Sequence, residues 1–166
     1  MKRITVIFLL TALLFSMISC GEKESPPAYL PSVRYDGQII PDRMVLTTYS
    51  DGPGDGGAPE AFKTAGEIIA SDLDKISFTK IENKKLELVN GSDKNADFSI
   101  VFEGIYTDKG EKTEYTESDM SGLPDGRYVI CARVRKKMTG INREENYYLF
   151  AGVEKSSGAL TFVSAV

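Results

Sequence analysis

Two cysteines, Cys20 and Cys131, 24 acidic side chains and no histidine make up the reactive inventory of this chain. Without an imidazole there is no His-dependent relay to activate a hydroxyl or thiol, and zinc loses its commonest nitrogen donor. Cys131 lies inside an alternating apolar run, where a lone thiol is a small buried hydrophobe rather than a nucleophile. Asp51-Gly52-Pro53-Gly54-Asp55-Gly56-Gly57 is the most calcium-like stretch. It lacks the glutamate that closes a twelve-residue calcium loop, since Phe62 and Gly66 stand eleven residues after Asp51 and Asp55. Its glycines do not end in the Lys-Ser/Thr of a phosphate-binding loop either, so a solvated loop is expected. Carboxylate pairs suited to glycoside hydrolysis are numerous, and none is singled out by position. Arg133, Arg135, Lys136 and Lys137 form a basic run near Tyr147 and Tyr148, expected as a solvated strand end able to meet an acidic partner. No catalytic, cofactor-binding or metal-ligating residue is therefore assigned, and no cofactor is expected.

Cys20 stands in a different context. Lys2-Arg3 is followed by an apolar run from Ile4 to Ile18, interrupted only by Thr5, Thr11 and Ser16. Its 15 residues fall short of the roughly 20 needed for a permanent membrane-spanning helix, and suit the apolar part of an export signal. Met17-Ile18-Ser19-Cys20 resembles the lipobox of bacterial lipoproteins, with Met17 where Leu is usual. The resemblance implies cleavage before Cys20, diacylglycerol on its sulfur, and a mature chain that begins at that residue. Two acyl chains on one cysteine give stable anchoring. Gly21 replaces the Asp that retains such proteins at an inner membrane, which favours the outer membrane in a cell that has two. Residues 1–19 are expected to be the signal peptide.

Composition agrees with a secreted globular unit. The chain has 166 residues, of which 42% are hydrophobic and 27% charged, enough apolar side chains for a real core. Net charge is -4, and loss of Lys2 and Arg3 with the signal leaves 18 basic against 24 acidic residues, net -6. Such a surface repels phosphate backbones, which argues against nucleic acid as a partner. Once Cys20 carries lipid, Cys131 alone cannot close a disulfide, so packing must supply the stability. Residues 20–30, with Glu22 to Pro27 polar and proline-bearing, read as lipidated terminus and tether. Residues 31–166 are expected to form one domain.

Within that domain most signals have a period of two. Val33-Arg34-Tyr35 and Gln38-Ile39-Ile40 flank Asp36-Gly37, a tight-hairpin dipeptide. Met44 to Tyr49, Ile76 to Phe78, Leu86 to Leu88, Phe98 to Phe102, Arg127 to Arg135 and Leu160 to Val163 are strand-like. A further hairpin is expected around Asp108-Lys109-Gly110. Tyr147 to Val153 is apolar on both faces, as an interior strand should be. One segment dissents: in Pro59 to Leu73, the residues Phe62, Ala65, Ile69 and Leu73 recur at helical spacing, and Pro59-Glu60 suits a helix start. Gly66 weakens that helix by about 1 kcal/mol relative to Ala. The expected fold is mainly β, an antiparallel sandwich with one short helix near residues 60–73.

Leu123-Pro124-Asp125-Gly126-Arg127-Tyr128 resembles the lead-in to a late strand in immunoglobulin-like and fibronectin type III-like bacterial modules. There the tyrosine fills a corner of the sandwich and its hydroxyl bonds nearby backbone. Val129 to Val134 with Tyr147 to Phe150 is also similar to the last strand pair of small extracytoplasmic lipoproteins of Firmicutes, with Tyr49 at a place where Trp is usual. The resemblance implies a fold and an address, and no particular activity. The expectation is a membrane-anchored, extracytoplasmic, non-enzymatic module that binds a protein, peptide or cell-wall component. A protease-inhibitor-like immunoglobulin module and a small carboxylate-dependent hydrolase are the alternatives.

Overall fold

The computed structural model describes residues 29–50, 63–82, 84–156, 158 and 161–163. Among the described residues nine strands form two sheets with one α-helix. The smaller sheet has the order β2-β1-β5-β9, with β1 Ser32–Tyr35, β2 Gln38–Ile39, β5 Lys85–Val89 and β9 Thr161–Val163. The larger has the order β3-β8-β7-β6, with β3 Asp42–Ser50, β6 Ala96–Thr107, β7 Gly126–Met138 and β8 Glu144–Lys155. Strand β4 (Phe78–Ile81) continues the β3 edge of β8 from Gly152 onward, running parallel to it. Strand β9 also runs parallel to β5, while the remaining pairs are antiparallel. The result is the mainly-β sandwich with one short helix that the alternating pattern predicts.

Local chemistry explains the turns. Asp36 (φ 53°) and Gly37 (φ 78°) both take left-handed backbone, which a two-residue hairpin requires, and Tyr35 pairs with Gln38 across it. The segment after β6 turns at Asp108-Lys109-Gly110, where the Gly110 N–H donates to the Thr107 carbonyl at 3.0 Å. Helix α1 (Ala65–Asp72) begins after Thr64, with a capping box as the signal. The Glu67 N–H donates to Thr64 Oγ1 at 3.3 Å, and the Thr64 N–H donates to Glu67 Oε2 at 2.7 Å. The start expected at Pro59-Glu60, and Phe62 of the stripe, lie outside the described residues. Gly66 has a packing reason that propensity alone does not give: a Cβ there would run into the carbonyl oxygen of Gly110, and one on Gly110 into that of Gly66.

Two cores share the large sheet. Between the sheets lie Val33, Leu86 and Leu88 from one side, with Ile100, Ile105, Ile130, Ala132, Val134, Leu149, Ala151 and Val153 from the other. On the outer face of the large sheet, α1 sets Ala65, Ile68 and Ile69 against Tyr106, Val129, Cys131 and Phe150. This second core is why β8 is apolar on both faces. Leu149 and Ala151 point into the sandwich, and Phe150 points toward the helix. Asp72 at the helix end ties back to β3 through Arg43 at 2.7 Å.

Tyr128 packs its ring against the inner core. Among the described residues its hydroxyl makes no hydrogen bond, so the corner is filled without the backbone bond that the resemblance implies.

Candidate functional site

The helix covers only half of the outer face. Strand register sets out the rest in rows, because side chains two apart on one strand share a face. Val101, Arg133, Tyr148 and Val45 are successive partners across β6, β7, β8 and β3. Ser99, Arg135, Asn146 and Thr48 form the next row toward the β7–β8 hairpin. Beyond the edge of α1 these rows floor an open recess of about 530 Å³, with Thr47 at its β3 side.

Each flanking strand is irregular beside the recess. Register slips between Leu46 and Thr48 in β3, and between Phe102 and Gly104 in β6, so Thr47 and Glu103 are the extra residues of two bulges. Bulges re-aim side chains, and both do so here. Thr47 Oγ1 donates to the Asn146 carbonyl at 2.9 Å, and Asn146 Nδ2 donates to Thr48 Oγ1 at 2.8 Å. Glu103 stands between two cations, 2.6 Å from Arg133 Nε and 3.7 Å from Lys112 Nζ.

The uncompensated positive charge of the floor is Arg135, since Arg133 is paired with Glu103. Among the described residues Arg135 has no carboxylate within ion-pair distance and no acidic side chain lines the recess. Val101 is 53% exposed there, an unusual position for a branched apolar residue in mid-strand. Tyr148 marks the boundary, its ring 5.8 Å from that of Phe150 under the helix. Burial raises the Tyr148 hydroxyl above its ordinary value, so it is neutral and can donate. Positive charge, hydroxyl and amide donors, and an apolar strip lie together on a rigid sheet. Such a surface can hold an anionic group beside an apolar or planar one.

The basic run of the sequence is thereby divided. Arg133 and Arg135 share the outer face, whereas Lys136 turns inward, 3.4 Å from Glu145 Oε2. Glu145 is a buried carboxylate at this end of the sandwich, 8% exposed. The Tyr147 hydroxyl donates to its Oε2 at 2.6 Å, and Arg143 contacts its Oε1 at 2.8 and 2.9 Å. Tyr147 above all, with Lys136 and Arg143, holds the Glu145 carboxyl below its ordinary value. Burial, with the bond to Glu145, pushes Tyr147 to about 12.

Other residues singled out by sequence fall elsewhere. Cys20 and the Asp51–Gly57 loop lie outside the described residues. Cys131 is fully buried under α1, and burial pushes its thiol far above the range where a thiolate forms. Asp42 is raised by burial and accepts from the Val33 N–H at 3.2 Å, a bond that joins the two sheets. The opening beside it is about 30 Å³, and among the described residues no second carboxylate lines it. A broader depression of about 650 Å³ near Glu103, Glu114 and Glu117 carries acids, yet no group of three or more metal-type ligands occurs among the described residues. No described helix is long and apolar enough to cross a membrane.

Sequence reasoning missed Thr47, Ser99, Val101 and Asn146 as parts of one surface. The signal was present in β7, whose outer face changes from Val129 and Cys131 to Arg133 and Arg135 where the helix stops covering it. No protein-family model matches the chain, and neither a curated protein nor a solved structure is similar to it.

Proposed function

We propose that this protein is a lipid-anchored, extracytoplasmic binding module without catalytic activity, and that the recess beside α1 is its ligand-facing surface. The anchor rests on the Lys2-Arg3, Ile4–Ile18 and Ser19-Cys20 pattern. The binding role rests on one observation, the cationic and partly apolar recess of about 530 Å³ on an otherwise acidic chain. A ligand with a carboxylate or similar anion suits Arg135, with Arg133 beside it held by Glu103, and an extended peptide or a cell-wall component supplies that chemistry on the outer side of a membrane.

Two measurements test the two parts. Cys20→Ser should move the protein from the membrane to the soluble fraction of the cell, whereas an unchanged membrane fraction would refute the anchor. The detergent-solubilised full chain should bind an envelope component saturably, and Arg133→Ala with Arg135→Ala should lose at least about tenfold in affinity, the scale of one charge-assisted contact. Equal binding by the variant would remove the recess from the account.

A further inference from the structure

We infer that the sandwich stands on the bilayer end-on, with Tyr29, Leu30 and Ile141 seated in the interfacial layer; this rests on the lipid-anchor reading. Three observations converge on one end of the fold. The first is where the chain arrives. Tyr29 is pinned by a reciprocal pair, its N–H donating to the Ser92 carbonyl and its carbonyl accepting from the Ser92 N–H, both at 2.9 Å. The second is that the β7–β8 hairpin closes against the same loop, the Thr139 N–H donating to the Asn95 carbonyl at 2.7 Å. The third is exposure. Leu30 is 63%, Ile141 57% and Tyr29 44% exposed, and a small hollow of about 150 Å³ lies between Tyr29, Leu30 and Phe98, with Ser92 and Asp93 at its edge.

Chain length selects the occupant. Eight residues separate Cys20 from Tyr29. Even fully extended they span at most about 30 Å. A lipid on Cys20 therefore keeps this end, rather than the opposite one, within reach of the headgroups. Lys94 and Lys137 are exposed at this end, but Asp93 lines the hollow and Asp97 and Glu144 are the register partners of Lys137. The contact therefore rests on the apolar tips, with the lysine stems able to lie along the surface while the ammonium stays wet. Tyrosine is favoured at such a boundary because one end of it is apolar and the other polar. The opposite end, at the turn carrying Lys109, is one β6 length away, and twelve strand residues make that roughly 40 Å. In this pose the recess opens sideways, since Arg135 lies five residues up β7 from Gly140, or about 17 Å above the hairpin tip.

The chain contains no tryptophan, so single-tryptophan reporters are free of background. Leu30→Trp, Ile141→Trp and Lys109→Trp would be prepared in the full lipidated chain. Each would be reconstituted in vesicles of phosphatidylethanolamine and phosphatidylglycerol, then read by emission wavelength and by quenching with aqueous iodide. The expected result is a blue shift and shielding at positions 30 and 141, with position 109 unchanged. Because the reporter is the same in all three, tryptophan's own membrane preference cannot produce that split. If the protein floats with vesicles but 30 and 141 stay as quenchable as 109, the end-on contact is wrong and the anchor stands. If 109 is the shielded position, the orientation is inverted and the inference fails. If the protein does not float with vesicles, the inference falls together with the anchor.

Discussion

The two halves of the large sheet's outer face share strands, register and twist, yet differ in what covers them. Under α1 the exposed pattern of a surface strand is replaced by Val129, Cys131 and Phe150, all fully buried. A few residues further along the same strands stand exposed Arg133 and Arg135 and half-buried Asn146, beside a Val101 that is 53% exposed. The covered half is a core and answers to packing. The open half carries charge, donors and a recess, and packing constrains its sequence less. The lesson is that a strand's face is not a single environment; its role changes where its neighbour ends.

The largest effect should come from breaking the covered half. Phe150→Ala removes the ring on which α1 rests and should cost about 3–5 kcal/mol, read by denaturant unfolding. Gly66→Ala comes next. A better helix former placed against the Gly110 carbonyl should destabilise by about 1–3 kcal/mol through overpacking, although propensity alone predicts a gain. Stabilisation by this change would deny the close approach of helix and turn.

Glu145 offers a pH-dependent test at the end of the open half. Its folded-state carboxyl is held below the ordinary 4.5, chiefly by the Tyr147 hydroxyl. Its contribution should therefore be fully present above pH 4.5 and be lost as pH falls through the lower folded value. Glu145→Gln should lower stability at neutral pH, and its deficit should shrink on acidification. A deficit that grows in acid would contradict the cluster. Smallest in stability is the open half itself. Arg133→Ala with Arg135→Ala should change unfolding free energy by no more than about 0.5 kcal/mol while weakening ligand binding. A large loss of stability would mean that these arginines are structural and would erase the contrast between the halves.

Much of this architecture is legible in residue order. Asp36-Gly37, the alternation in β6 and β7 and the doubly apolar β8 each dictate their element from local chemistry. The helix is legible too in the stripe Ala65, Ile69 and Leu73, and the Thr64–Glu67 capping box marks where Ala65–Asp72 begins. Parallel pairing of β4 with β8 and of β5 with β9 leaves no local trace, since it depends on distant partners. The recess was half legible. Arg133 and Arg135 announced a basic strand, but Thr47 and Val101 join them only through register and two bulges, which are long-range facts. A basic run in sequence also hides which face each member takes, as Lys136 shows.

The proposed membrane address depends on the chemistry of Cys20, and intact mass spectrometry of the native protein measures that chemistry directly. The expected species is a chain that begins at Cys20, lacks residues 1–19, and carries a diacylglyceryl thioether mass on its first residue. A mature N-terminus beyond residue 20, or an unmodified cysteine, would contradict it.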